Sequence, residues 1–149
     1  MNEDAQALAE RVVASMMARD AFSRWLGIEV VHVAPRRVTV RMIVRDDMVN
    51  GFGVCHGGIA YALADSALAF ASNTHGGVTV SIENGITYPK RIGVHDVLTA
   101  TAQEESATTR LGFFRVTVRR GDDVVGLFHG TVYDTGKAFI FEEPASGRS

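Results

Sequence analysis

A single cysteine, Cys55, stands among the 149 residues, so no disulfide can close within the chain. That sets aside the disulfide-stapled secreted folds and points to a reducing compartment. There is no charge excess: 15 Lys and Arg against 17 Asp and Glu leave a net charge of −2. With a pI near 6.2, nothing in this balance selects nucleic acid or an anionic membrane as the main partner. The five histidines (His32, His56, His75, His95, His129) are scattered, with no HExxH and no paired Cys/His spacing, which argues against a metal site. There is no G-x-S-x-G elbow, and Gly51-Phe52-Gly53 lacks the third glycine of a dinucleotide fingerprint. The first ten residues are acidic and lack the basic start and apolar centre of a secretory signal, so a cytoplasmic protein is expected. The longest apolar run, about residues 57–71, is short for a membrane span and carries Asp65 near its middle. It reads as a buried helix.

What is present is ordinary for one soluble domain: 46% hydrophobic and 21% charged residues in a chain long enough to bury a core. Leu8, Ala9, Val12, Val13, Met16 and Met17 recur at three- and four-residue spacing, so the pattern predicts an amphipathic helix over 4–19. Asp20 can cap a short helix over 21–26, closed by Gly27. From Ile28 the period changes to two; Val38, Val40, Met42 and Val44 mark the dry face of a strand that follows a turn at Pro35-Arg36. Residues 46–54 form a polar loop. Residues 55–73, Ala-rich and apolar almost all round, read as a helix to be wrapped by a sheet or by partner chains. Strands are expected at 77–88, 96–108, 111–120 and 124–134, with a hairpin signal at Gly121-Asp122-Asp123. The residues from Gly136 to Ser149 read as a loose tail. Helix, two strands, a long buried helix, then a run of antiparallel strands makes one α+β domain.

Two features of the buried helix carry chemistry. Gly57 and Gly58 are poor helix formers, yet they stand where the helix should begin. A start without Cβ atoms lets a ligand approach N–H groups that have no intrahelical acceptor, at the positive end of the helix dipole. Such donors suit an anion or a developing oxyanion; an ordinary Gly-rich helix start is the plain alternative. Asp65 is the sharper signal, since a carboxylate inside an apolar helix is costly unless it is hydrogen-bonded or functional. A structural Asp tied to a backbone or hydroxyl partner is the alternative there. On a helix the two positions lie roughly 12 Å apart along the axis and about 80° apart around it. One carbonyl group cannot touch both in one chain. If both act on one group, a second copy must supply the carboxylate, as two antiparallel helices in an isologous dimer would allow.

Asn50-Gly-Phe-Gly-Val-Cys-His56-Gly57-Gly58, followed by Leu63-Ala-Asp65-Ser-Ala-Leu-Ala-Phe-Ala-Ser-Asn73, resembles the signature of the PaaI-type thioesterases of phenylacetic acid degradation. The likeness spans roughly residues 20–135. It implies the hotdog fold, a bent antiparallel sheet around one helix, and hydrolysis of phenylacetyl-CoA or a related aryl-CoA. By the same resemblance the Gly57 N–H would polarise the thioester carbonyl, and His56 and Asn50 would order the loop. Asp65 of the facing subunit would act as nucleophile or general base, and Ser81 would help hold water or carboxylate. Tyr88, Lys90 and Arg110 are implied as coenzyme A contacts, Lys90 and Arg110 on the phosphates. A homo-oligomer built of functional pairs, arranged as a tetramer, is the implied assembly, with no cofactor beyond the coenzyme A of the substrate.

The chemistry is coherent, because a thioester is already activated and water, a carboxylate and an oxyanion donor suffice for it. Rival readings are a thioesterase for medium-chain acyl groups, a hotdog dehydratase or hydratase, and a non-catalytic acyl-CoA sensor. Cys55 beside His56 suggests a nucleophilic pair, but neighbours on one turn rarely point at each other. Phe52, Tyr61 and Phe70 are candidates for the wall of an acyl pocket.

Overall fold

The computed structural model describes residues 3–142. Two helices, α1 (Ala5–Arg19) and α2 (Ala21–Leu26), precede strands β1 (Glu29–Ala34) and β2 (Arg37–Ile43). The long helix α3 (Gly57–Asn73) follows, then β3 (Gly77–Thr87), β4 (Val97–Ala107), β5 (Leu111–Arg120) and β6 (Asp123–Ala138). The strands form one sheet in the order β1-β2-β4-β5-β6-β3, with antiparallel pairing throughout. This is the expected α+β hotdog arrangement.

Local chemistry sets the joints. The Asp20 carboxylate accepts from the Ser23 N–H at 2.9 Å to start α2, and Gly27, at φ 78°, ends it. Arg36 takes the left-handed φ of 62° in the β1–β2 turn, and its N–H is held at 2.8 Å by Thr74 Oγ1 just past α3. Gly121, at φ 58°, opens the two-residue β5–β6 hairpin, as a primed turn requires.

The sheet closes on α3 because α3 is narrow. Ala60, Ala64, Ala67 and Ala71 have no exposed surface, and their small side chains let the strands approach the helix axis. Leu63, Leu68 and Phe70 fill the space between them and the inward rows Val38, Val40 and Met42 of β2, Leu98 and Ala100 of β4, and Val116 and Val118 of β5, all buried. The alternation of β2 between buried and outward residues matches the sequence pattern.

The strands β3 and β1 are the two edges of the sheet, and neither has a fully buried residue. β3 has one strand neighbour, β6, so its outer edge is unpaired among the described residues. Val80 and Ile82 are 48% and 58% exposed there. A bulge at Ile82 breaks its register: Ser81 pairs with Val132, and Glu83 pairs with the adjacent Thr131.

Two expectations are corrected. The segment from Gly136 is not loose as far as residue 142: β6 runs to Ala138, and the Phe139 N–H bonds the Gly76 carbonyl at 2.8 Å. Beyond it the Arg11 guanidinium lies 4.1 Å over the Phe141 ring, and Arg19 reaches Glu142 at 3.1 Å, tying this stretch to α1. Residues 143–149, the remainder of the expected tail, lie outside the described residues. Phe70 is the second correction, since it has no exposed surface and belongs to the core. Phe70→Ala is therefore expected to lower stability by about 3–5 kcal/mol in chemical denaturation while leaving KM for acyl substrates unchanged in the folded fraction. A shift in KM with little loss of stability would return Phe70 to the acyl wall.

Candidate active site

The start of α3 is built by a tightly tied loop. The Asn50 side-chain carbonyl accepts from the N–H groups of Phe52 at 2.9 Å and Val54 at 3.3 Å, and the Asn50 backbone N–H bonds the Val54 carbonyl at 2.8 Å. Residues 55 and 56 are fixed from two sides: the Cys55 N–H bonds the Ile92 carbonyl at 2.9 Å and the His56 N–H bonds the Met48 carbonyl at 2.8 Å. His56 is the N-cap, and its Nδ1 accepts from the Gly58 N–H at 2.9 Å. That bond requires the tautomer with the proton on Nε2. The Gly57 N–H, the first of the helix, has no acceptor among the described residues.

Tyr88, just past β3, completes the clamp. Its phenol donates to the Gly57 carbonyl at 2.6 Å, so the Gly57–Gly58 peptide is held at both ends, by Tyr88 on its oxygen and His56 on its nitrogen. A Cβ on Gly57 would lie 3.0 Å from the Tyr88 oxygen, which gives the glycine a second reason besides approach of a ligand. A cavity of about 130 Å³ opens here between Val54, Gly57, Ala60, Tyr88, Lys90 and Ile92.

Asp65 lies two turns further along, half-buried, and Asn84 Nδ2 of β3 donates to its Oδ1 at 3.2 Å. Burial pushes this carboxyl above the usual carboxylate range; the Asn84 bond opposes that rise, and the Asp20 charge adds to it. The Ser81 hydroxyl donates to Asn84 Oδ1 at 2.7 Å, so Ser81 reaches Asp65 only through Asn84. Asn84 was not singled out by the sequence because alternation sets it on the face opposite Ser81. The bulge at Ile82 reverses that and turns both inward, beside Val132 and Gly130.

The spacing between the two halves is independently visible in β3, which α3 meets antiparallel. Gly57 touches Tyr88 and Asp65 touches Asn84, four strand residues earlier. Four residues of strand span about 13 Å, in agreement with eight residues of helix at about 12 Å. Within one chain the free N–H and the carboxylate are separate half-sites.

The implied coenzyme A contacts are also separated. Lys90 is paired with Asp123 at the β5–β6 hairpin, where Arg120 bridges Asp123 and Asp96. Arg110 stands in the β4–β5 turn beside Asp134 and Gly136. The whole of β4, about 33 Å, lies between the two ends, so Lys90 and Arg110 of one chain cannot grip one phosphate group. Tyr61 stacks edge-on with Phe128 at 5.3 Å, whereas Phe52 is 90% exposed. Burial, and secondarily the Asp96 charge, push the Cys55 thiol up to about 11, and His56 Nδ1 is engaged by the Gly58 N–H, so the geometry does not favour a Cys–His pair.

Loss of the cap should be measurable without any ligand. His56→Ala is expected to cost about 1 kcal/mol in chemical denaturation and to speed exchange of the Gly58 amide. Unchanged stability and exchange would mean that the Tyr88 bond alone orders this peptide.

A family profile for the Thioesterase superfamily matches residues 52–127, the stretch from the α3 loop into β6. The acyl-coenzyme A thioesterase PaaI of Escherichia coli is 32% identical over 123 residues, 82% of this chain and 88% of that protein. Acyl-coenzyme A thioesterase 13 of Homo sapiens is 34% identical over 113 residues, 72% of this chain and 80% of that protein. The solved structure of the E. coli PaaI protein superposes with a TM-score of 0.89, covering 92% of this chain and all of that one at 29% identity. A mutant of the phenylacetic acid degradation protein PaaI from Thermus thermophilus gives 0.75 at 39% identity, over 77% and 99% of the two chains. With the hotdog architecture, the clamped glycine at the helix start and the helix carboxylate all in place, the chain belongs to the thioesterase superfamily of hotdog-fold enzymes.

Proposed function

We propose that two copies of this acyl-CoA thioesterase form a functional pair that hydrolyses phenylacetyl-CoA or a hydroxylated relative to the free acid and coenzyme A, as a step of phenylacetate catabolism. The observation that carries the reading is the unpartnered Gly57 N–H on a peptide clamped by Tyr88 and His56, with a half-buried carboxylate two turns away on the same helix. Each group matches one need of thioester hydrolysis, and neither can meet the other's substrate atom within one chain.

In the pair, α3 helices packed antiparallel set the Gly57 of one chain against the Asp65 of the other. The unpaired β3 edge, with Val80 and Ile82 exposed, supports pairing on this side of the molecule. The thioester oxygen accepts from the Gly57 N–H. Asp65 Oδ1 is occupied by Asn84, leaving Oδ2 to take a proton from water as the water oxygen bonds the carbonyl carbon. The tetrahedral oxyanion is held by the same N–H; its collapse breaks the C–S bond, and the departing thiolate takes up a proton. Asn50 orders the loop below the carbonyl, and Ser81 acts on Asp65 through Asn84.

Coenzyme A spans the pair in this reading: Lys90 lies at the helix-start end of one chain, and any contact from Arg110 comes from another copy. The phenylacetyl group is favoured by the likeness to proteins of phenylacetic acid degradation and by the Tyr61–Phe128 aromatic pair beside the helix start. A cytoplasmic setting suits the free Cys55 and the CoA substrate.

Thiol release from a panel of acyl-CoAs tests the reading. Phenylacetyl- and hydroxyphenylacetyl-CoA are expected to give the highest kcat/KM, and Asp65→Asn to lower kcat by about a hundredfold or more with folding retained. The acid limb of the wild-type profile should lie above the ordinary carboxylate range, because burial raises Asp65 and activity disappears as pH falls through that raised value. Preference for medium-chain acyl groups would overturn the substrate assignment. Hydration of an enoyl-CoA without free thiol, or binding without turnover, would overturn the hydrolytic one.

A further inference from the structure

We propose that Asn84 is a positioning residue for Asp65: its side-chain amide, locked in orientation by Ser81, holds one carboxylate oxygen and aims the other at the substrate water. The proposal rests on the hydrolytic reading above for the word substrate, but the lock itself is a property of the folded chain.

A carboxylate offers only acceptors, so Asn84 must present its NH₂ to Asp65 and its carbonyl elsewhere. The Ser81 hydroxyl occupies that carbonyl at 2.7 Å, and Nδ2 lies 3.2 Å from Asp65 Oδ1. The backbone is shaped for the arrangement. The bulge at Ile82 brings Ser81 and Asn84 to the same inner side of β3. Opposite Asn84 on β6 stands Gly130, where a Cβ would lie 2.8 Å from Asn84 Oδ1 and 2.5 Å from Leu68 Cδ2. A side chain at 130 would displace the amide. Strand, bulge and neighbouring strand thus all leave room for one carboxamide in one orientation.

The amide also governs the charge state of the acid. Burial and the charge of Asp20, at the α1–α2 junction, both favour protonated Asp65, and the Asn84 N–H is the group that favours the carboxylate. Removing the N–H therefore moves the Asp65 titration to higher pH.

The test uses Asn84→Ala and the shape-matched Asn84→Asp in the full chain, with two readouts. Carboxyl ¹³C NMR of the ligand-free protein, with the Asp65 signal identified by its absence in Asp65→Asn, reports the titration directly. The pH profile of kcat with phenylacetyl-CoA reports the reaction. The expected result is a higher Asp65 midpoint in both variants, higher still in Asn84→Asp, an acid limb moving with it, and kcat at neutral pH down about tenfold with KM within about twofold. Ser81→Ala should move the midpoint less in the same direction, and Ser81→Thr should restore it. An unmoved midpoint in folded Asn84→Ala, or in Asn84→Asp if the alanine variant does not fold, overturns the proposal and makes Asn84 a packing residue. A moved midpoint in a protein that releases no thiol from any acyl-CoA would keep the lock and discard the hydrolase.

Discussion

A helix advances at a fixed 1.5 Å per residue, and on α3 that rigidity keeps the Gly57 N–H and the Asp65 carboxylate about 12 Å apart. Much of the remaining structure can be understood from this separation. The strand β3 repeats it as the distance from Tyr88 to Asn84, so helix and strand form two antiparallel rulers hydrogen-bonded to each other at each mark. Neither ruler can shorten without breaking its own hydrogen bonds. A thioester carbonyl, whose oxygen and carbon are about 1.2 Å apart, cannot span this gap within one chain; in the proposed pair a second chain reverses the ruler.

The apolar character of α3 serves this geometry as well as the core. A helix held by the sheet along its buried side cannot rotate to present either end differently, and the alanine stripe keeps the strands close enough to reach its polar positions. The polar groups it carries are each compensated locally. His56 and Tyr88 clamp the peptide after Gly57, and Asn84 meets Asp65. Ser66 shares a hydrogen bond with Ser23 at 2.8 Å, which Asp20 anchors in turn. The Gly57 N–H and Asp65 Oδ2 are left without partners among the described residues, and the edge of β3, the strand that holds Asn84, is left open.

The elements were legible in the sequence because period and punctuation agree. The alternating valines of β2, the capped turn at Asp20–Gly27 and the glycine hairpin at 121 stand where their patterns place them. Gly57 and Asp65 were conspicuous because each is a poor choice for a buried helix. The missed features depend on a local irregularity or on partners distant in sequence. Asn84 joins Ser81 only through a one-residue bulge that no local pattern marks. The residues after Gly136 look loose until Arg11 and Arg19 of α1 are seen beside Phe139 and Phe141. Lys90 and Arg110 read as a pair in sequence, yet a full strand length parts them. Phe70 could not be sorted from Tyr61 by periodicity, since a helix apolar all round has no face to read.

The central claim is that the active site is shared between chains, and subunit complementation measures it most directly. Asp65→Asn and Gly57→Val subunits, each nearly inactive alone, are unfolded, mixed in equal amounts and refolded. Random pairing makes about half the pairs mixed, each with one site carrying both defects and one carrying neither, so recovered activity should approach about a quarter of wild type. No recovery after verified exchange of subunits would place both groups in a single-chain site and contradict the account.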